Sequence, residues 1–197
     1  MLEIYIIRHG KTLFNQKDLV QGSCDSELTQ EGVMQAKSVG ENMKEIDFTH
    51  VFSSPSGRAS DTCEYATQNR FPIIYDKRLK EMSFGYLEGE KNERLKDGKP
   101  EDFEERCAVG WVEEGGENTA MVMARIDSFF KELVSKYKEG TVLISTHGMW
   151  IYFALQYLLG INSFPQNCSV SKIVYDNEKY IAEFVGSTDY RDNKNEY

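Results

Sequence analysis

Short apolar runs alternate along the chain with longer amphipathic segments, and the two spacings predict different elements. Runs at 3–8, 51–53, 73–75 and 141–145 are short and bounded by turn residues, so they read as strands. Two more, at 172–176 and 180–185, flank Asn177-Glu178-Lys179 and predict a closing hairpin. Apolar positions spaced by three and four predict helices over 29–46, 56–69, 118–138 and 149–159. The third is the clearest. Val122, Ile126, Phe129, Phe130, Leu133 and Tyr137 share one face, Asn118 stands where an N-cap belongs, and Gly140 lies past the end. Strands and helices in this alternation predict an α/β three-layer sandwich: a mostly parallel central sheet with helices on both faces.

The periodicity lapses between the third strand and the 118–138 helix. Residues 88–117 hold 11 acidic and 5 basic side chains among scattered glycines and a proline. A long irregular stretch inside a compact domain reads as a functional cover or a solvated loop. Phe103, Trp111 and Val112 give it something to pack, which favours a cover inserted at about 84–117. The polar end, 186–197, predicts a loose tail. The length of 197 residues is that of one domain over 1–197, and no internal repeat is present.

Composition narrows the function. With 23 Lys and Arg against 32 Asp and Glu, the formal charge is −9, unsuited to nucleic acid or an anionic membrane as partner. Any anion site must therefore be local, built from a few placed cations. The apolar stretch at 149–161 falls short of the roughly 20 residues a membrane span needs. The run at 2–7 is too short for a signal peptide, and no two of Cys24, Cys63, Cys107 and Cys168 have metal or redox spacing. Reduced thiols in a cytoplasmic protein are the expectation.

Two of the three histidines follow strands. Arg8-His9-Gly10 ends the first strand, and His147-Gly148 follows Val142-Leu143-Ile144-Ser145-Thr146 in the same way. Both imidazoles are thereby predicted at the C-terminal edge of the sheet, where open α/β folds bind ligands. His50 precedes a strand in a polar stretch and reads as a surface residue. Gly10-Lys11-Thr12 is not the end of a phosphate-binding loop, because position 5, where that loop needs glycine, is Tyr5.

Arg8-His9-Gly10-Lys11-Thr12 with Asn15 resembles the signature of the histidine phosphatases, the superfamily that includes the cofactor-dependent phosphoglycerate mutases. The resemblance continues in order through Gln21-Gly22, Asp25, Leu28-Thr29 and Gly32. It then takes in Ser53-Ser54-Pro55 with Arg58-Ala59 and Thr62, and Glu81 with Phe84-Gly85 and Glu88-Gly89. Gly115-Gly116-Glu117 and His147-Gly148 complete it. It implies that Arg8, Arg58 and His147 surround a phosphoryl group, with His9 behind the phosphorus as nucleophile. Asn15 would donate a further hydrogen bond, and Gln21, Gly22 and Gly148 would belong to the substrate site. Glu81 corresponds to the family's proton donor, with Glu88 and Glu90 close by in sequence. The arginines would keep His9 neutral by like-charge repulsion, and His147 would stabilise the transition state as a cation. No metal or other cofactor is implied. The expected partner is a small-molecule phosphomonoester.

Membership of such a family leaves hydrolysis, mutase transfer and binding without turnover open. A mutase must also hold a glycerate carboxylate, and its relatives place arginines after the acid and after the second His-Gly. Met82 and Met149-Trp150-Ile151 stand there in this chain, and the cover is acidic, so hydrolysis is favoured. The complete catalytic set argues against a binder. Met82, Phe84, Tyr86, Trp111 and Trp150 are candidates for an apolar pocket wall, or for core packing.

Overall fold

The computed structural model describes residues 1–191. Six strands, β1 (Leu2–Arg8), β2 (His50–Ser53), β3 (Ile73–Tyr75), β4 (Gly140–Thr146), β5 (Val170–Asp176) and β6 (Lys179–Ser187), form one sheet in the order β3-β2-β4-β1-β5-β6. β3, β2, β4 and β1 run parallel, and β5 alone runs against the other five strands. β1 pairs with β4 from Leu2–Gly140 to Arg8–Thr146. His9 and His147 therefore leave the sheet side by side.

The helices are α1 (Leu13–Lys17), α2 (Gln30–Asn42), α3 (Gly57–Thr67), α4 (Phe103–Val109), α5 (Thr119–Lys136) and α6 (Gly148–Leu159). Alternation along the central strands sorts the core into two layers. Leu2, Ile4 and Ile6 of β1, with Val142 and Ile144 of β4, pack against α5 and α6. Tyr5 and Ile7, with Leu143, pack on the other face against α2 and α3. Strands buried on both faces need apolar residues at both parities, which is why the 4–7 run lacks polar alternation. Each fully buried aliphatic side chain contributes about 1.5–3 kcal/mol to holding these layers. The observed fold is the predicted α/β sandwich.

Several local expectations are corrected. The first long helix stops at Asn42 instead of 46, with Met43 as its C-cap. Ile46 continues the spacing of Val39 and Met43 but packs against the core from the turn that follows the helix, and Phe48 beyond it meets Tyr5 edge-on. The hairpin turn has two residues, Asn177 and Glu178, both at positive φ as a type I′ turn requires; Lys179 already belongs to β6. The cover holds structure of its own: Asp102 caps α4, and single tight turns form at Gly85–Leu87 and Asn92–Lys96. Trp111 is buried, edge-on to Phe84 at 4.8 Å, while Val112 is half exposed. Gly186 and Ser187 complete β6, and Asn42 Nδ2 donates to the carbonyls of Asp189 and Tyr190, so that part of the tail is docked on α2. Positions 192–197 of the predicted tail lie outside the described residues. His50 begins β2, its ring tilted against that of Tyr137 at 3.9 Å. The four cysteines are free thiols, and no helix among the described residues is long and apolar enough to cross a membrane.

Candidate active site

The C-terminal ends of β1 and β4 open into a cavity of about 290 Å³ lined by Arg8, His9, Asn15, Gln21, Gly22, Arg58 and Glu81. His147 lies against it, its ring 5.3 Å from that of His9. Gly148 begins α6 beside the Arg8 guanidinium, where a Cβ would sit 3.4 Å from Arg8 Cζ and Nε, at ordinary contact distance. All nine expected residues converge on one place.

His9 is 2% exposed, and its Nδ1 lies 2.8 Å from the Gly10 carbonyl. A carbonyl only accepts, so Nδ1 carries the proton and Nε2 keeps the lone pair. Burial, then Arg58 and Arg8, push His9 well below the usual histidine range, outweighing the backbone bond that opposes them. The arginines thus act as expected, but burial leads. Asn15 caps from α1: its Oδ1 accepts from Thr12 N, and Asn167 Nδ2 donates to the same oxygen.

Arg58, in the first turn of α3, is fully buried. Its Nη1 donates to Cys24 O at 2.8 Å and Asp25 Oδ1 at 2.9 Å, and its Nη2 to Gly22 O at 2.8 Å. Asp25 also accepts the Gly57 N–H, supplying the cap that Ser56 does not. Gly22 adopts φ +54°, and a Cβ there would lie 2.4 Å from Glu88 Oε1, so the turn demands glycine. Glu88 accepts from Ser23 N, Cys24 N, Ser83 Oγ and Phe84 N, fastening the loop that grips Arg58 to the segment after Glu81.

Of the three carboxylates close in sequence, Glu81 alone lines the cavity. Glu90 is exposed and pairs with Arg94. Glu81 Oε1 accepts from Met82 N and Trp150 N, and Oε2 from Met149 N, so the carboxylate rests on the free N–H groups that open α6. Its backbone is held by Arg125 of α5, which donates to the carbonyls of Arg78, Lys80 and Glu81 and pairs with Glu117. Sequence reasoning missed Arg125: it sits on the polar side of an ordinary amphipathic helix, and the carbonyls it holds lie 44 to 47 positions away.

His147 is fully buried, with Nε2 2.8 Å from Ser54 Oγ. Burial, then Arg58, His9, Arg125 and Arg8, push it well below the usual range. Both causes favour the neutral ring before a ligand binds, so the cation that the resemblance implies belongs to the transition state.

Arg8 Nε, Gln21 Nε2, Arg58 Nε and His147 Nδ1 are buried and have no hydrogen-bond partner in the protein. Three are obligate donors, and the fourth donates whenever its nitrogen carries a proton. Buried polar groups are ordinarily paired, and an unpaired one costs about 1–3 kcal/mol. Arg8, Gln21 and Arg58 line the one cavity and His147 lies against it, a grouping of spare donors suited to an acceptor-rich anion.

The cavity's cover side departs from expectation. Phe84, Asn92, Leu95 and Phe103 face inward and none is charged, so the cover's acidic surplus lies outside the lining. Met82, Trp111 and Trp150 belong to the core, and Tyr86 is 72% exposed; of the suggested apolar wall only Phe84 is in place.

The family model of the histidine phosphatase superfamily (branch 1) matches residues 4–188. Among curated relatives, "Probable phosphoglycerate mutase GpmB" of Proteus mirabilis is 30% identical over 193 residues, covering 92% of this chain and 89% of the relative. The fold is similar to that of a phosphoglycerate mutase from Bacillus anthracis (TM-score 0.87, 29% identity, 96% of this chain and 94% of that one). It is equally similar to YhfR of Bacillus stearothermophilus (TM-score 0.87, 26% identity, 98% and 100%).

Proposed function

The chain belongs to the histidine phosphatase superfamily, and from that premise we propose that it is a metal-independent phosphomonoester hydrolase working through a phosphohistidine on His9. The cluster of four buried, unpaired polar atoms carries this reading. A phosphoryl group supplies acceptor oxygens for each of them. A hydrogen bond to so charged a group contributes about 1.5–3 kcal/mol.

In the first step His9 Nε2 attacks phosphorus, forming the N–P bond as the ester P–O bond breaks. Glu81, in its protonated form, gives its proton to the departing oxygen. Arg8, Arg58, Gln21 and His147 hold the phosphoryl oxygens, and His147 takes up a proton as the dianion arrives. In the second step Glu81 accepts a proton from water, the hydroxide oxygen bonds to phosphorus, and the N–P bond breaks to release phosphate. The helix starts of α3 and α6 are already capped by Asp25 and Glu81. Anion binding therefore falls to side chains, which spread positive charge over the phosphoryl group in flight.

The names of the relatives favour a second reading, a phosphoglycerate mutase. Against it, Arg8 and Arg58 are the only Lys or Arg lining the cavity among the described residues, and the phosphoryl group uses both. Phosphate release from a panel of monoesters in EDTA decides the matter. Release by the parent, abolished in His9→Ala, supports the hydrolase; interconversion of phosphoglycerates without net release supports the mutase.

A further inference from the structure

We propose that the site selects phosphomonoesters with an apolar leaving group, of the size of one ring or a short aliphatic chain, over esters that carry a second anionic group. The proposal rests on the phosphatase reading above and adds a substrate class to it.

The cavity has two unlike sides. Against the arginines and His9 stands a wall of Leu19, Phe84, Leu95, Phe103, Met149 and Phe164. These side chains come from the loop after α1, the cover, the first turn of α6 and the loop beyond it. Several are braced from behind. Trp111 meets Phe84 edge-on at 4.8 Å, and Tyr152 meets Phe103 edge-on at 5.5 Å and lies 6.1 Å from Phe164. The Phe164 ring lies 5.8 Å from the Arg8 guanidinium carbon, so the apolar side adjoins the phosphoryl end. A wall assembled from four segments and stiffened by ring contacts is in place before any ligand arrives.

Charge sets what this wall accepts. A phosphoryl dianion engages Arg8 and Arg58, and the remaining polar lining beyond the phosphoryl end is amide, from Asn15 and Asn92. A carboxylate or second phosphate on the leaving group would lose water against phenyl and leucyl surface with no cation to meet it. An apolar group there gains by leaving water. The volume limits its size, since about 290 Å³ must hold phosphoryl and leaving group together. That lies at the small end of the roughly 300–1,000 Å³ range of small-molecule sites.

The test compares benzyl phosphate, glycerol 3-phosphate and 3-phosphoglycerate, whose alkyl leaving groups have similar basicity, so the ratio of kcat/KM reports the pocket and not bond strength. Benzyl phosphate is expected ahead of both others by roughly tenfold or more, the scale on which apolar pockets discriminate. Phe164 is 53% exposed, so Phe164→Ser is compatible with folding. That variant is expected to narrow the ratio by about threefold or more. A ratio measured on one preparation is independent of its active fraction. Calorimetric affinities of benzylphosphonate and phosphonoacetate supply a readout without turnover, with benzylphosphonate expected to bind tighter by a similar factor. Esters equal within about twofold, or tighter binding of phosphonoacetate, overturn the proposal while leaving a phosphatase. Benzylphosphonate preferred with no ester hydrolysed upholds the ligand class and removes the phosphatase reading beneath it.

Discussion

His9 and His147 face each other across 5.3 Å, and both stay neutral where an exposed histidine begins to charge. Burial is the first cause for each, reinforced by Arg58 and Arg8, with Arg125 also acting on His147. The unfolded chain protonates these rings at about pH 6.5, whereas the folded chain resists until well below. The unfolded state then binds more protons, so stability is held above about pH 6.5 and falls as pH drops beneath it. Urea denaturation across that range is expected to show this slope, flattened in a His9→Asn, His147→Asn double variant. An unchanged slope in the double variant would place the acid sensitivity elsewhere. On the proposed mechanism, a bound phosphoryl dianion would supply the charge partner that His147 lacks.

At the scale of elements, each catalytic side chain is held by a segment remote in sequence. α3 carries Arg58, but the 22–25 loop fixes its guanidinium; α6 receives the Glu81 carboxylate, but α5 fixes its backbone through Arg125. Removing Arg125 takes a donor from three carbonyls and from the Glu117 carboxylate; Arg78 O keeps Trp150 Nε1 and Glu117 keeps the Ser83 N–H, while the Lys80 and Glu81 carbonyls lose theirs. Arg125→Met is expected to cost about 3 kcal/mol of stability, on the scale of breaking a partly buried ion pair. It is also expected to lower kcat more than it raises KM, because it moves the proton donor more than the phosphoryl cradle. Chemical denaturation and steady-state kinetics check the two effects separately, and a kcat equal to the parent's would deny Arg125 that positioning role. These ties explain what the sequence left hidden. The alternation of short apolar runs with amphipathic segments and the order of the motifs announced the sheet and the residues at its edge, because both depend on neighbours close in the chain. The carbonyls held by Arg125 and the tie of Glu88 to the 23–24 loop depend on contacts 44 to 65 positions apart and leave no local pattern.

At the scale of the molecule, the parallel register of β1 and β4 sets two histidines side by side, and the cover closes the space above them with uncharged residues. The acidity of the cover looked from sequence like a barrier to polyanions. Folding turns the carboxylates away from the lining and leaves an apolar wall, a distinction composition cannot carry because it does not record which face is buried. The central claim is that phosphorus passes through His9. The most direct measurement mixes enzyme with a turned-over ester in EDTA, quenches in alkali, where phosphohistidine survives, and maps the phosphoryl group by mass spectrometry. The account predicts an adduct on His9 that forms at least as fast as phosphate is released and is missing in His9→Ala. Phosphate released at the parent rate by His9→Ala would contradict it.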